Sequence, residues 1–176
     1  MINWLMTMSI QKIKYIFPKN DLMQYFYDCY PNMRDYVVPK DFDWIDTDII
    51  EGFKVDEDRH FDPWLNDIAK KFCEYYGIED KFVTQFLVIE PNKTLPWHAD
   101  GKPANCCVNC LLSGNNAPIE FDDGVYEYDT ALLNIRNRHK VQNGPNIRVM
   151  FRIVFYEEHT EFDKIRDKIY AKDISS

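Results

Sequence analysis

The sequence predicts a mainly β fold, a β-sandwich or jelly roll with flanking helices. Over residues 81–156, short apolar runs alternate with turn residues, which is typical of a small antiparallel domain. Segments with helical periodicity precede and follow this region. The 176 residues, 45% of them hydrophobic, are enough for one core and few for two. We therefore expect a single domain over 1–176, with supporting segments in 1–80, the β core in 81–156 and a last helix in 160–171.

The first helix is expected between polar capping residues and a proline. Asn20 or Asp21 can accept hydrogen bonds from the first amides of a helix, which predicts a helix over 21–30 that ends at Pro31. The next stretch, 31–59, has no sustained period, and we expect it to contribute strand fragments and loops to the flank of the core.

The second helix is marked at both ends. Asp62 is a favourable N-cap, Pro63 suits the first helical position, and Gly77 suits the residue just after the last turn. Apolar residues at helical spacing define a buried stripe: Leu65, Ile68, Ala69, Phe72 and Tyr76. This stripe predicts a helix that packs on a sheet.

The strands follow at short intervals. They are predicted over 82–89, 94–100, 106–112, 118–121, 125–128, 130–135, 138–142 and 147–156. Asp123-Gly124 is a strong signal for a hairpin turn between the fourth and fifth of these strands. Thr160 followed by Asp163 resembles a capping box and predicts a last helix over 161–171.

Composition excludes several classes of partner and compartment. The formal net charge of -8 argues against a nucleic-acid or anionic-membrane surface, and no apolar run approaches the roughly 20 residues of a membrane span. The five cysteines are an odd number, and the adjacent Cys106 and Cys107 face opposite ways in a strand. We expect free thiols and a cytoplasmic location. The spacing of Cys107 and Cys110 resembles a zinc knuckle, but no second pair of ligands accompanies it.

Three residues form a candidate metal site. His98 and Asp100 are two apart in a predicted strand, so their side chains share one face, and His139 precedes a turn further along the chain. Two imidazoles and one carboxylate on one side of a metal leave other positions open, the arrangement of non-haem Fe(II) oxygenases. Arg148 is the candidate for recognising an acidic co-substrate.

The second half of this site permits a geometric prediction. Asn143-Gly144-Pro145-Asn146 supplies turn residues, which predicts that the strands of His139 and Arg148 form a hairpin. In a symmetric hairpin His139 opposes Met150, and Arg148 lies diagonally on the same face, together with Arg152. An inward-facing arginine on a strand with an apolar opposite face requires an anionic partner.

The order His98-x-Asp100, His139 and Arg148, with Arg148 nine residues after the second histidine, resembles the 2-oxoglutarate and Fe(II)-dependent oxygenases. The likeness is greatest to the prolyl-hydroxylase-like branch, with some similarity to aspartyl/asparaginyl hydroxylases, and covers about 81–156. It implies a double-stranded β-helix of the cupin-like type in which the triad holds Fe(II). It also implies that Arg148 binds the distal carboxylate of 2-oxoglutarate. Arg152 is a second candidate for co-substrate or substrate contact.

The resemblance implies a hydroxylase that uses O2 and releases succinate and CO2, and that ascorbate can stimulate. A C–H bond of a peptide residue or of a small molecule is the expected target. Many prolyl hydroxylases add a tyrosine beside the arginine, and the sequence does not locate its counterpart, because the loop 90–96 aligns poorly. Two alternatives stay open: a non-catalytic jelly-roll binding module, and a cupin-type metalloenzyme that does not use 2-oxoglutarate.

Overall fold

The computed structural model describes residues 8–33, 49–51, 62–79, 81–100, 104–113, 118–156 and 161–175. The described residues form ten strands and three helices. The strands are β1 (Ile10–Lys12), β2 (Ile49–Glu51), β3 (Phe82–Ile89), β4 (Thr94–His98), β5 (Cys106–Ser113), β6 (Ile119–Phe121), β7 (Gly124–Tyr126), β8 (Thr130–Leu133), β9 (His139–Gln142) and β10 (Arg148–Phe155). The helices are α1 (Lys19–Met33), α2 (Pro63–Tyr76) and α3 (Phe162–Ser175). None of these helices is long and apolar enough to cross a membrane.

The strands form two antiparallel sheets that pack face to face. The larger sheet has the order β1-β8-β5-β10-β3-β2, and the smaller has the order β4-β9-β6-β7. Strand β10 lies in the middle of the larger sheet and pairs with β3 over its whole length and with β5 over most of it. The predicted fold class, mainly β with flanking helices and a double-stranded β-helix of the jelly-roll, cupin-like type, is confirmed.

Each side of the larger sheet faces a separate apolar core. Alternate residues of β10, such as Phe151 and Ile153, pack with the helices on the outer side, whereas Met150 lies between the two sheets. The same alternation separates the neighbouring cysteines, because Cys106 belongs to the helix-side core and Cys107 to the inter-sheet core. The prediction that these two side chains face opposite ways is confirmed.

Helix α2 begins and ends where the sequence predicts. The carboxylate of Asp62 accepts hydrogen bonds from the amides of Trp64 and Leu65, both at 2.9 Å, and Pro63 occupies the first turn. Gly77 follows the last turn with φ of 64°, a left-handed conformation that glycine adopts without steric cost. The predicted apolar stripe is buried and packs with residues of β3, so this helix backs the larger sheet.

The boundaries of the other two helices differ from the prediction. Helix α1 begins at Lys19, because the carbonyl of Pro18 accepts the first helical hydrogen bond from Leu22, at 3.0 Å. Asn20 and Asp21 therefore lie inside the first turn and are not N-caps. The helix also continues past Pro31, which removes one amide donor from the last turn only. Helix α3 ends four residues later than predicted, and Thr160 lies outside the described residues.

The predicted hairpin between β9 and β10 is wrong. Strand β9 pairs with β4 and β6 in the smaller sheet, and β10 pairs with β3 and β5 in the larger one. The connecting loop is bound to the β3–β4 turn instead. The side-chain amide of Asn143 donates to the carbonyls of Ile89 and Glu90, at 3.0 and 2.8 Å, and the amide of Asn92 donates to the carbonyl of Gly144 at 2.8 Å. These bonds fix the loop in which the chain passes from the smaller sheet to the larger one.

The hairpin predicted at Asp123-Gly124 is confirmed. Strands β6 and β7 are antiparallel neighbours, and Phe121 pairs with Gly124, so Asp122 and Asp123 form a two-residue turn. Of the stretch 31–59, the structure describes the end of α1 and the strand fragment β2. The rest of that stretch lies outside the described residues.

Candidate metal centre

The two histidines of the candidate triad are brought together by strand pairing. His98, the last residue of β4, lies opposite His139, the first residue of β9, and their ring centroids are 4.2 Å apart. The Nδ1 atom of His98 lies 2.7 Å from the carbonyl oxygen of Pro96, and that of His139 lies 2.8 Å from the carbonyl oxygen of Asn137. A carbonyl oxygen can only accept, so each Nδ1 carries the hydrogen. In a neutral ring, each Nε2 therefore presents a lone pair on the opposite side.

Asp100 reaches the same point by a different route from the one the sequence predicts. Strand β4 ends at His98, so strand alternation does not place Asp100. Its backbone amide instead donates to the carbonyl of Ile135, at 2.8 Å, and this bond turns the carboxylate towards the histidines. The Oδ1 atom of Asp100 lies 3.3 Å from Nε2 of His98 and 3.9 Å from Nε2 of His139.

The triad has the chemistry of a cation site. One ligand atom from each of the three residues lies within 4.8 Å of the others. Two imidazole lone pairs and a carboxylate facing one another repel, and a cation among them relieves that repulsion. The backbone carbonyls that bind the two Nδ1 atoms fix the tautomers in the form that a metal requires. The donor set of two nitrogens and one oxygen fits Fe(II), with coordination positions left for other ligands.

The protonation states suit metal binding. Burial lowers the pKa of His139 to about 4, so this imidazole is neutral at physiological pH. Burial raises the pKa of Asp100, but the neighbouring side chains, among them the charged Arg152, outweigh burial and hold that pKa below its usual value. The carboxylate is therefore ionised. Metal ligands must be deprotonated, and these two groups already are.

Arg152 lies beside the metal carboxylate. Its Nη2 atom is 3.7 Å from Oδ2 of Asp100 and donates to Sγ of Cys107 at 3.2 Å, while Nε donates to Oδ1 of Asn109 at 3.0 Å. Burial opposes the charge of this guanidinium, but Cys107 and Asp100 raise the pKa of Arg152 and keep it charged. The structure thus places Arg152 in direct contact with the triad.

Arg148 lies on the same face of β10, four residues before Arg152, and is one of the most deeply buried large side chains described, with 1% of its surface exposed. Its Nη2 atom donates to the hydroxyl oxygen of Tyr128 at 3.1 Å, and its guanidinium lies 5.7 Å from the centre of that ring. Met150 separates the two arginines along the strand. Two cationic side chains therefore approach the space between the sheets from one strand.

Tyr128 and Asn109 are the site residues that the sequence did not reveal. Tyr128 hydrogen-bonds the predicted co-substrate arginine and is the structural candidate for the tyrosine sought in the loop 90–96. It lies 20 residues before Arg148, so only the tertiary fold brings the two together. Asn109 lies directly opposite Arg152 on β5. Strand pairing places Asn109 beside Arg152, whereas Tyr128 lies between β7 and β8 and is identified by its hydrogen bond with Arg148.

The zinc alternative has no support among the described residues. Cys107 and Cys110 face opposite sides of the larger sheet, and neither forms a disulfide. Across the described ranges, the group formed by His98, Asp100 and His139 is the one set of three or more histidine, cysteine or acidic side chains close enough to share an ion. The remaining histidines, His60 and His159, lie outside those ranges.

The fold and the site together define a double-stranded β-helix protein with a His-Asp-His centre between its sheets. No protein-family model matches the sequence, and no curated protein matches it. Solved structures do match. A viral collagen prolyl hydroxylase from Paramecium Bursaria Chlorella virus-1 is 7% identical, with 86% of this chain and 98% of that chain covered and a TM-score of 0.56.

A prolyl-4-hydroxylase from Pseudomonas putida is 12% identical, with 86% of this chain and 94% of that chain covered and a TM-score of 0.56. At these identities the likeness concerns the fold. This chain has the fold of the prolyl-hydroxylase-like 2-oxoglutarate oxygenases, and the resemblance drawn from the sequence is confirmed at that level.

Proposed function

We propose that this protein is an Fe(II)- and 2-oxoglutarate-dependent dioxygenase that hydroxylates a C–H bond of a peptide residue or small molecule. The observation that supports it best is the convergence of two tautomerically fixed imidazoles and a carboxylate on one point, with the buried Arg148 and the partly buried Arg152 on the facing strand. A non-catalytic module has no need of three metal-ligand atoms within 4.8 Å of one another. A metalloenzyme without a dicarboxylate co-substrate has no need of a buried arginine such as Arg148.

Each residue has a distinct role in this proposal. His98, Asp100 and His139 hold Fe(II). Arg148, with the hydroxyl of Tyr128, binds the distal carboxylate of 2-oxoglutarate, because a guanidinium matches a carboxylate in a bidentate pair. When bound, the iron and co-substrate supply O2 activation coupled to oxidative decarboxylation, which releases succinate and CO2. Ascorbate, which keeps iron reduced, is expected to stimulate turnover.

The surroundings of the triad are suited to excluding water. Apolar side chains from both sheets line the space around it, including Leu87, Ile89 and Val141. This apolar wall strengthens the electrostatic contacts inside and keeps reactive species from solvent. Arg152 is placed to bind an anionic group near the metal, from either co-substrate or substrate.

The first substrates to test are peptides that contain proline, because the two structural neighbours above are prolyl hydroxylases. Peptides with aspartate or asparagine and free amino acids complete the panel. We expect neither nucleic acid nor a membrane as partner. Four cysteines, Cys73, Cys106, Cys107 and Cys110, are buried and form no disulfide, which fits a reducing compartment. We propose that the protein is cytoplasmic and acts as one domain.

The test is succinate release from 2-oxoglutarate by purified protein with Fe(II), O2 and ascorbate. Wild type is compared with His98→Ala and Arg148→Ala, with Thr84→Val as a matched control on the helix side of the larger sheet. Thr84 is also buried, and its hydroxyl binds Asn66 on α2, away from the site. We expect succinate release from wild type and the Thr84 variant and loss of it in the other two.

A second readout does not require turnover. Anaerobic addition of 2-oxoglutarate to the Fe(II)-loaded protein should produce a visible charge-transfer band in wild type and not in His98→Ala. Absence of both the band and succinate release in wild type would exclude the proposed function. Turnover of a substrate that is unaffected by Arg148→Ala and does not require 2-oxoglutarate would favour the cupin-type alternative.

A further inference from the structure

The two arginines of the site are joined by a single chain of polar contacts with Asn109 at its centre. The Oδ1 atom of Asn109 accepts from Nε of Arg152 at 3.0 Å, and its Nδ2 atom donates to the hydroxyl oxygen of Tyr128 at 3.1 Å. That hydroxyl oxygen also accepts from Nη2 of Arg148 at 3.1 Å. At the other end, Arg152 lies 3.7 Å from the outer oxygen of the metal ligand Asp100.

We propose that Asn109 is a positioning residue that orients Arg152 beside the metal carboxylate and Tyr128 beside Arg148, so that one side chain supports both the metal and the co-substrate. This inference rests on the proposed function and goes beyond it, because Asn109 is neither a metal ligand nor a carboxylate-binding group.

The chemistry of the amide matches this position. Nε of Arg152 needs a hydrogen-bond acceptor, and the hydroxyl oxygen of Tyr128 can accept from a donor. The side-chain amide of asparagine supplies both the acceptor and the donor from a short, rigid side chain. The residue is 4% exposed, so water cannot replace either contact without entering the core. Two further contacts hold the amide in this orientation. Asn109 is the cross-strand neighbour of Arg152, and the thiol of Cys107 donates to the same Oδ1 at 3.2 Å. Polar networks at such depth function as units, since losing one member leaves the others unsatisfied.

The metal end depends on Asn109 only through Arg152. A charged group beside the outer oxygen of Asp100 fixes the direction in which the inner oxygen faces the two histidines. Partners of this kind that orient a metal ligand typically change metal affinity by roughly 10- to 100-fold when they are removed. The co-substrate end depends on Asn109 through Tyr128, which is 6% exposed and held by the same amide.

The experiment measures the two affinities separately. Mn²⁺ binding without 2-oxoglutarate is titrated calorimetrically, and 2-oxoglutarate binding is then titrated at saturating Mn²⁺ without O2. The variants are Asn109→Leu, which keeps the volume and removes both contacts, and Tyr128→Phe, which removes only the co-substrate link. Thr84→Val is the control for loss of a buried side-chain hydrogen bond elsewhere in the same sheet. Melting temperatures establish that each variant folds, and Asn109→Ala replaces the leucine variant if that one does not.

We expect Asn109→Leu to weaken Mn²⁺ binding and 2-oxoglutarate binding by roughly 10-fold each, the low end of the range for such residues. Tyr128→Phe should weaken 2-oxoglutarate binding alone, and Thr84→Val should change neither. In an Arg152→Met background, Asn109→Leu should have no further effect on Mn²⁺ affinity, because the residue through which it acts is gone.

Wild-type Mn²⁺ affinity in Asn109→Leu would overturn the inference, as would equal weakening of Mn²⁺ binding in Tyr128→Phe. Additive effects of the Asn109 and Arg152 substitutions would overturn it as well. If wild type binds neither Mn²⁺ nor 2-oxoglutarate, the proposed function fails and this inference fails with it. If wild type binds both and only the variant pattern is wrong, the proposed function stands.

Discussion

The buried imidazole of His139 makes the stability of the metal-free protein depend on pH in a defined window. Burial lowers the pKa of His139 to about 4, from an ordinary value of 6.5 that it regains on unfolding. Between these values the unfolded chain binds a proton that the folded chain does not. Protonation of the unfolded chain at His139 therefore leaves the free energy of unfolding unchanged above pH 6.5 and lowers it progressively as the pH falls towards 4. At about 1.4 kcal/mol per pKa unit, the complete loss is about 3 kcal/mol.

The assay is urea unfolding in chelator, at neutral pH and at about pH 4.5, for wild type and His139→Gln. At the lower pH, titration of His139 should remove about 2 kcal/mol of stability from wild type and nothing from the variant, because glutamine does not titrate. Carboxylates elsewhere titrate in both proteins, so the difference between the two pH dependences reports on His139 together with the groups it contacts, Asp100 and His98. Equal losses in wild type and variant would refute the reasoning.

Three further predictions concern the metal and the scaffold. Mn²⁺ at about 100 times its Kd should raise the free energy of unfolding by about 2.7 kcal/mol in wild type and leave Asp100→Ala unchanged, and equal stabilisation of both would place the metal elsewhere. Phe151→Ala, at a fully buried ring that contacts Phe86, should cost about 3–5 kcal/mol in denaturant unfolding, and a cost below about 1 kcal/mol would contradict the packing described. Asp62→Ala should cost at least about 1 kcal/mol, because it removes the N-cap and also the acceptor for the hydroxyl of Tyr25, whereas Asp67→Ala, at an exposed position of the same helix, should cost less than about 0.5 kcal/mol, and equal costs would argue against capping.

Local sequence signals predicted the elements that local chemistry controls. Helix α2 is bounded by a carboxylate that binds free amides and by a glycine in a left-handed conformation, and both effects act within a few residues. Strand β3, whose bounds were predicted to the residue, and the two-residue turn before Gly124 are likewise controlled by residues that are close in the sequence. Helix α1 departs from the prediction because the carbonyl of Pro18 provides the first acceptor and Pro31 lies too near the end to break the helix.

The order of residues in the chain also identified the candidate triad, but the strand alternation on which that prediction relied does not account for the position of Asp100. His98 and Asp100 are two apart, yet Asp100 lies beyond the end of β4 and is turned inward by a bond to the carbonyl of Ile135. The prediction that His139, Arg148 and Arg152 share one face of a hairpin is wrong, because β9 and β10 belong to different sheets. These residues face one another from opposite sheets across the inter-sheet core.

The sequence by itself determined which residues share a face, where α2 and most strands lie, and which three side chains form the candidate metal site. The tertiary structure alone decided which strands are neighbours and which polar groups meet. Alternation in a strand has a period of two and assigns each side chain to a face, but it carries no information about the partner strand. A short loop such as 143–147 joins two sheets here because Asn143 binds the β3–β4 turn. The passage of the chain into the larger sheet places β10 beside β5, and this arrangement brings the two arginines into contact with Asn109 and Tyr128.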